Sequence, residues 1–170
     1  TPFVQPDTLD RMIAARAEND LVILGFEAAD PARYGRLVMD GDQLQEIVEY
    51  KDATEAQRAI TFCNSGLLAC AADRLFDLIA QVGNDNASGE YYLTDVVALA
   101  RTAGLRVTAV ACTEDQTLGV NSRADLAAAE AVFQARARAE LLDLGVTMTA
   151  PGTVFLAWDT MIGRDAMIEP

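Results

Sequence analysis

No histidine occurs among the 170 residues of the sequence. Its absence removes Ser-His and Cys-His nucleophilic catalysis, imidazole metal sites and the commonest general base at neutral pH. Cysteine is scarce as well. Cys63, Cys70 and Cys112 show no C-x-x-C spacing and sit in apolar surroundings, which favours buried reduced thiols over a disulfide or a thiolate metal site. Aromatic residues make up only 6%. Positive charge is short too, with 13 Lys and Arg against 26 Asp and Glu, giving a formal net charge of −13. Such a chain repels nucleic acid and anionic membranes, so neither is an expected partner. An anionic ligand would have to be held locally, by backbone N–H groups, a metal ion or a few placed cations. There is no run of about 18 apolar residues and no signal-peptide pattern, so the expected location is cytoplasmic.

What the sequence does hold is a 51% hydrophobic content, rich in alanine, enough for the core of one domain with a short appendage. It opens on Thr1-Pro2-Phe3-Val4 without a methionine, which suggests a piece of something longer. Residues 8–19 predict a helix with Asp7 as N-cap and Leu9, Met12, Ile13 and Ala17 on one side. Residues 21–28, LVILGFEA, form a continuous apolar run suited to a buried strand. YGRLVMD and LQEIVEYKD, separated by Gly41-Asp42-Gln43, predict a hairpin. In its second strand, alternation puts Gln45, Ile47, Glu49 and Lys51 on one face.

The next apolar run, residues 60–70, is interrupted by Asn64-Ser65-Gly66. Polar groups inside a buried strand need partners, so the trio is either a bulge at Gly66 with Asn64 bonding backbone or part of a ligand site. Helices are expected over residues 73–82 and over 94–103, the latter with Thr94 as N-cap. A strand is expected over residues 106–112. A long helix over 123–144 should start at Ser122, with Asp125 completing the cap. Its apolar stripe is Leu126, Ala129, Phe133, Ala137, Leu141 and Leu144. Residues 84–97, NDNASGEYYLTDV and its lead into a helix, form a polar loop with paired tyrosines. Loops of this kind, hung between regular elements, often present side chains to a ligand. In the tail, Leu156, Ile162 and Ile168 recur at six-residue intervals, the hexad pattern of a left-handed parallel β-helix.

Taken in order, YGR at 34–36, IVEYKDAT at 47–54, NSG at 64–66, GNDNASGEYYLTD at 83–95, GVNSR at 119–123 and IGRDAMIEP at 162–170 closely resemble one family. It is the bacterial bifunctional N-acetylglucosamine-1-phosphate uridyltransferase/glucosamine-1-phosphate acetyltransferases, which complete UDP-N-acetylglucosamine synthesis for cell wall and lipopolysaccharide. The resemblance covers essentially the whole chain and implies an α/β fold. That fold is the mixed-sheet, sugar-binding half of a nucleotide-diphospho-sugar transferase (Rossmann-like) domain, followed by the start of a left-handed parallel β-helix. The implied divisions are 1–122 for the uridyltransferase part, 123–145 for a linker helix and 146–170 for the first acetyltransferase coil. The family's Gly-rich nucleotide loop, its cations and a magnesium-binding Asp would precede Thr1, and most of the acetyl-CoA domain would follow Pro170.

The resemblance also implies a set of site residues. The acceptor sugar phosphate would lie against Gly35, Glu49 and Asn64, with Tyr92 and Thr94 lining the same pocket. Asn121 would share a magnesium ion and touch the nucleotide sugar. Ser65 stands where many relatives carry Thr, a small departure that leaves Asn64 in place. The residue types suit these roles. Gly35 lets a ligand approach backbone, Glu49 accepts from sugar hydroxyls, the Asn64 amide both donates and accepts, and the Asn121 carbonyl is a hard oxygen ligand. The implied substrates are UTP and N-acetylglucosamine-1-phosphate, with UDP-N-acetylglucosamine as product. No residue of this chain is assigned general acid or base work. The full-length parent is expected to be a homotrimer, this chain alone to be inactive, and a missing N-terminal fragment is a possible partner. The alternative is a non-catalytic sugar-nucleotide binding or assembly module.

Overall fold

Pro6 presets a helical φ, and its missing N–H costs nothing in a first turn. It opens helix α1 (Pro6–Ala15). The computed structural model of the chain describes residues 2–120 and 122–170. Helix α1 begins ahead of the expected Thr8 because Gln5, not Asp7, is its N-cap. The face it buries carries Thr8 and Met12, while Leu9 and Ile13 remain exposed.

The chain divides into two compact units, the first ending at Thr117 and the second beginning at Leu118. In the first, the apolar run forms strand β1 (Leu21–Glu27), buried from Leu21 through Phe26 save Glu27 at its end. Strands β2 (Arg36–Asp40) and β3 (Gln43–Val48) make the expected hairpin. Its turn holds Gly41 at φ +56°, a left-handed conformation that glycine adopts without strain. The short helix α2 (Glu55–Arg58) is closed by a capping box between Thr54 and Gln57. Strand β4 (Phe62–Cys70), helix α3 (Ala72–Ile79), helix α4 (Val96–Thr102) and strand β5 (Val107–Cys112) follow. The sheet order is β3-β2-β4-β1-β5, antiparallel except for the parallel pair β1 and β5.

Because side chains alternate along β1, its two faces feed two packed clusters. Leu21 and Ile23 join Leu37, Leu44, Ile47, Val96, Val97 and Ala100 on one side, while Val22 and Leu24 meet Met12 on the other. Full burial of each such side chain stabilises the fold by about 2 kcal/mol before chain entropy is counted.

Two irregularities correct the expected alternation. In the hairpin, Val38 faces Glu46 but Met39 faces Leu44, so Gln45 is an extra residue. That bulge lets Leu44 and Ile47 both turn inward. The strand then ends at Val48, so Glu49 and Lys51 leave the sheet instead of sharing a strand face. In β4 the register slips between Gly25↔Asn64 and Ile23↔Leu68. Here Gly66 adopts φ +85°, the Asn64 Oδ1 accepts from the Gly66 N–H at 3.0 Å and the Ser65 Oγ accepts from the Leu67 N–H at 3.2 Å. Of the two readings open for this trio, the bulge at Gly66 is present, and its polar groups have local partners.

The second unit is built on helix α5 (Arg123–Asp143). Its N-terminus carries the predicted capping box, Ser122 Oγ accepting from the Asp125 N–H at 3.1 Å and Asp125 accepting from the Ser122 N–H at 2.8 Å. Strand β6 (Thr147–Met148) pairs in parallel with strand β7 (Met167–Ile168), Thr147 beside Met167. Between them lies the 3₁₀ turn Pro151–Thr153. Of the hexad residues, Leu156 is buried and Ile162 and Ile168 are half-buried. Among the described residues no helix is long and apolar enough to cross a membrane.

Candidate functional site

The pairing of β4 with β2 sets the site. Arg36 lies opposite Cys63, and the antiparallel pairing carried one residue further brings the Asn64 backbone N–H onto the Gly35 carbonyl at 2.8 Å, just before β2 begins. Gly35 itself is buried. A Cβ there would lie 3.0 Å from the Ile47 methyl Cγ2 and 3.4 Å from Glu49 Oε1, so a larger residue would press on both. Leaving the sheet after Val48 turns the Glu49 carboxylate toward Thr94, whose hydroxyl donates to Oε1 at 3.0 Å. Asn64 and Thr94 also line one cavity with Ile47, Leu93, Val96 and Val97. Gly35, Glu49, Asn64 and Thr94, spread widely along the sequence, are therefore neighbours in space.

Thr94 is not the N-cap expected of it. A 3₁₀ turn, Leu93–Asp95, precedes α4 and moves the helix start to Val96, which frees the hydroxyl for Glu49. Tyr92 is half-buried at the entry to this turn, its carbonyl accepting from the Asp95 N–H at 3.1 Å, and it is not among the cavity-lining residues. Tyr91 is 72% exposed. Asn121, the expected magnesium and nucleotide-sugar contact, lies outside the described residues. Among those described, no group of three or more His, Cys, Asp or Glu is placed to hold a metal ion.

The loop before Thr94 is shaped from within and clasped from without. Asn86 accepts from the Ser88 and Glu90 N–H groups at 3.1 and 3.2 Å, turn chemistry typical of asparagine. Lys51 Nζ donates to Ser88 Oγ at 2.9 Å, and the Ala87 N–H donates to Asp52 Oδ1 at 2.8 Å. With the Glu49–Thr94 bond, these contacts tie residues 49–52 to residues 87–94. The family resemblance alone singles out Glu49, and nothing local in the sequence names Ser88 or Ala87 as partners of its neighbours Lys51 and Asp52. Burial, and secondarily the nearby Asp52, raises the Asp95 carboxyl above its ordinary 3.8. Burial likewise pushes the Cys63, Cys70 and Cys112 thiols up, away from reactive thiolate, and all three are free.

Sequence reasoning missed the most buried charge. Arg36 is 2% exposed, and its guanidinium donates to the carbonyls of Pro31, Ala32, Tyr34 and Arg58. It sat unremarked in the tripeptide YGR, where a surface arginine would look the same.

No family model matches the chain. Individual proteins do. The bifunctional protein GlmU of Ruegeria pomeroyi is 77% identical over 164 residues, which are 96% of this chain and 36% of that protein. The chain belongs to the GlmU family. The GlmU of Roseobacter denitrificans is 62% identical over 170 residues, covering the whole chain and 38% of the relative. The chain thus spans little more than a third of the length of the GlmU proteins it matches. Among solved structures, a nucleoside-diphosphate-sugar pyrophosphorylase from Vibrio cholerae RC9 superposes with a TM-score of 0.53 at 13% identity, over 74% of this chain and 49% of that one. This likeness shows the fold alone, and it agrees with the mixed sheet of the GlmU-like chain.

Proposed function

We propose that the chain carries the acceptor-sugar half of a GlmU uridyltransferase site, in which N-acetylglucosamine-1-phosphate meets UTP. A phosphate oxygen of the sugar phosphate attacks the α-phosphorus of UTP, a new P–O bond forms, the bond to the β-phosphate breaks and pyrophosphate leaves. The nucleophile is already an anion at neutral pH, so no general base is required and the lack of histidine is no obstacle. The reaction needs alignment of two polyanions and neutralisation of their charge. Magnesium, when bound, supplies part of that neutralisation, with Asn121 as one of its holders. Glu49, Asn64 and the Gly35 backbone orient the sugar, with Tyr92 and Thr94 beside them.

The observation that carries this reading is the convergence of Gly35, Glu49, Asn64 and Thr94 through the Asn64–Gly35 and Thr94–Glu49 hydrogen bonds. Glu49 supplies acceptors, the Asn64 amide supplies both kinds of group, and Gly35 lets the Glu49 carboxylate lie close to backbone: a set suited to a polyhydroxyl ligand. The formal net charge of −13 fits a half-site that leaves the triphosphate to groups elsewhere in a longer protein. For that longer protein we infer acetyl transfer from acetyl-CoA to glucosamine-1-phosphate, a homotrimer assembled on a β-helix beginning near Thr147, and a cytoplasmic location. The chain alone is inactive on this reading.

The test uses the full-length protein. Glu49→Ala and Asn64→Ala should each raise KM for the sugar phosphate about tenfold or more, the scale of losing a hydrogen bond to a charged or bidentate partner. The KM for UTP and the melting temperature should change little. Unchanged sugar-phosphate kinetics in both variants would discard the pocket and favour a module that binds elsewhere.

A further inference from the structure

Arg36 follows Gly35 and Tyr50 follows Glu49, so the two walls of the proposed sugar pocket each have an immediate neighbour on the same cluster. Buried guanidinium groups are normally paired with a carboxylate. Arg36 is not held that way. Its Nη1 donates to the Pro31 carbonyl at 3.2 Å and to that of Tyr34, and its Nη2 to the Ala32 and Arg58 carbonyls at 3.1 and 3.4 Å. The Nε is buried without a hydrogen-bond partner. The cation also faces the Tyr50 ring, 5.8 Å from ring centre to guanidinium carbon. Arg58 stacks on the same ring at 4.7 Å and donates from Nε to the Tyr50 carbonyl at 3.2 Å.

Each contact fixes something next to the pocket. Ala32 adopts φ +37°, a conformation that a non-glycine residue holds only when its surroundings impose it, and Arg36 binds its carbonyl. The same guanidinium gathers the Tyr34 carbonyl, while the Tyr34 ring packs edge-on against Phe26 with centroids 5.1 Å apart. The loop that delivers Gly35 is therefore tied down by Arg36. The residue after Glu49 is tied to the same group through its ring. Two cations on one aromatic ring would repel in open solvent. The ring quadrupole and the carbonyl dipoles offset that repulsion here.

We propose that the Arg36–Tyr50–Arg58 stack is a positioning device that fixes the separation of Gly35 from Glu49 and thereby tunes the fit of the acceptor sugar phosphate. The inference rests on the pocket reading above. Its prediction is selective: loosening the stack moves Glu49 relative to Gly35, weakens the sugar phosphate, and leaves the nucleotide and the chemical step alone.

Tyr50 is the position at which to test it. The ring is 38% exposed, so replacing it opens no core cavity, and every carbonyl contact of Arg36 is kept. In the full-length protein, Tyr50→Phe preserves the aromatic face and should stay within about twofold of wild type in all parameters. Tyr50→Leu removes the face and should raise KM for the sugar phosphate about tenfold, the scale of a partly desolvated cation–π contact. Both kcat and the KM for UTP should stay within about twofold. Melting temperatures of the two variants report folding. An unshifted sugar-phosphate KM in Tyr50→Leu, or a shift equal in Tyr50→Phe, overturns the positioning role. So does an equal loss for both substrates. If Glu49→Ala and Asn64→Ala are also silent, the pocket itself falls; if they respond and Tyr50→Leu does not, only the positioning role falls.

Discussion

At the scale of single residues, the same side chain often has a local use and a distant one. Asn64 closes the β4 bulge through its Oδ1 while its backbone N–H reaches Gly35. Both readings of the Asn64-Ser65-Gly66 trio were open in the sequence, and the bulge is realised. Thr94 shows the opposite case. A threonine before a helical pattern signals an N-cap, but the 3₁₀ turn shifts the helix and the hydroxyl serves Glu49 instead. No local pattern carries a contact between residues 45 apart. Asp95, in the same turn, gives a prediction of its own. Its folded-state pKa is raised, so the folded protein holds this proton more tightly than the unfolded chain. The resulting penalty is absent below the ordinary value of 3.8 and grows as pH rises through the raised value. Asp95→Asn should therefore melt higher than wild type at pH 7, with the difference closing as the pH approaches 3; a thermal melt series across that range measures it. A gap that widens toward low pH would contradict the assignment.

At the scale of elements, periodicity located helices and strands well and misjudged what they do with their faces. The predicted stripe of α5 included Leu126 and Leu144, which are 58% and 62% exposed. The residue the helix buries with Ala129 is Gln134. Its amide behaves like one more strand residue: Nε2 donates to the Leu156 carbonyl at 2.7 Å, and Oε1 accepts from the Leu156 N–H at 2.8 Å. One turn further on, Arg138 donates to the Val154 carbonyl at 3.0 Å. A hydrophobicity pattern cannot register a face that grips backbone with polar groups, since glutamine and arginine count as solvent-facing. Replacing the amide by an apolar side chain of similar size leaves two buried backbone groups unpaired. Gln134→Leu should cost the second unit about 2 kcal/mol. The loss would be read as a lower urea midpoint and as faster hydrogen exchange at the Leu156 amide.

At the scale of the whole molecule, composition was informative about charge and silent about topology. Strands could be read one by one, yet the order β3-β2-β4-β1-β5 depends on β4 inserting between β2 and β1, a pairing decided by long-range register. The charge balance, in contrast, bears directly on function. A chain of net charge −13 repels a triphosphate unless cations are focused at the site. Incubated alone with Mg²⁺, UTP and N-acetylglucosamine-1-phosphate, the chain should release no pyrophosphate above background. Robust turnover in that assay would overturn the half-site reading while leaving the family membership untouched.

The parallel pairing of β6 with β7 has a mechanical consequence. Tension applied at the C-terminal end would first reach the short Met167–Ile168 ladder, which offers few hydrogen bonds to share it. Once the ladder parts, the slack between Leu156 and Ile168 runs out, about 40 Å at full extension. With the Asp165 N–H released from the Gly145 carbonyl as well, the load reaches Leu156 and Val154, held on α5 by the Gln134 amide and by Arg138. The second unit would thus yield in steps, with Gln134 as a point where the pull enters α5.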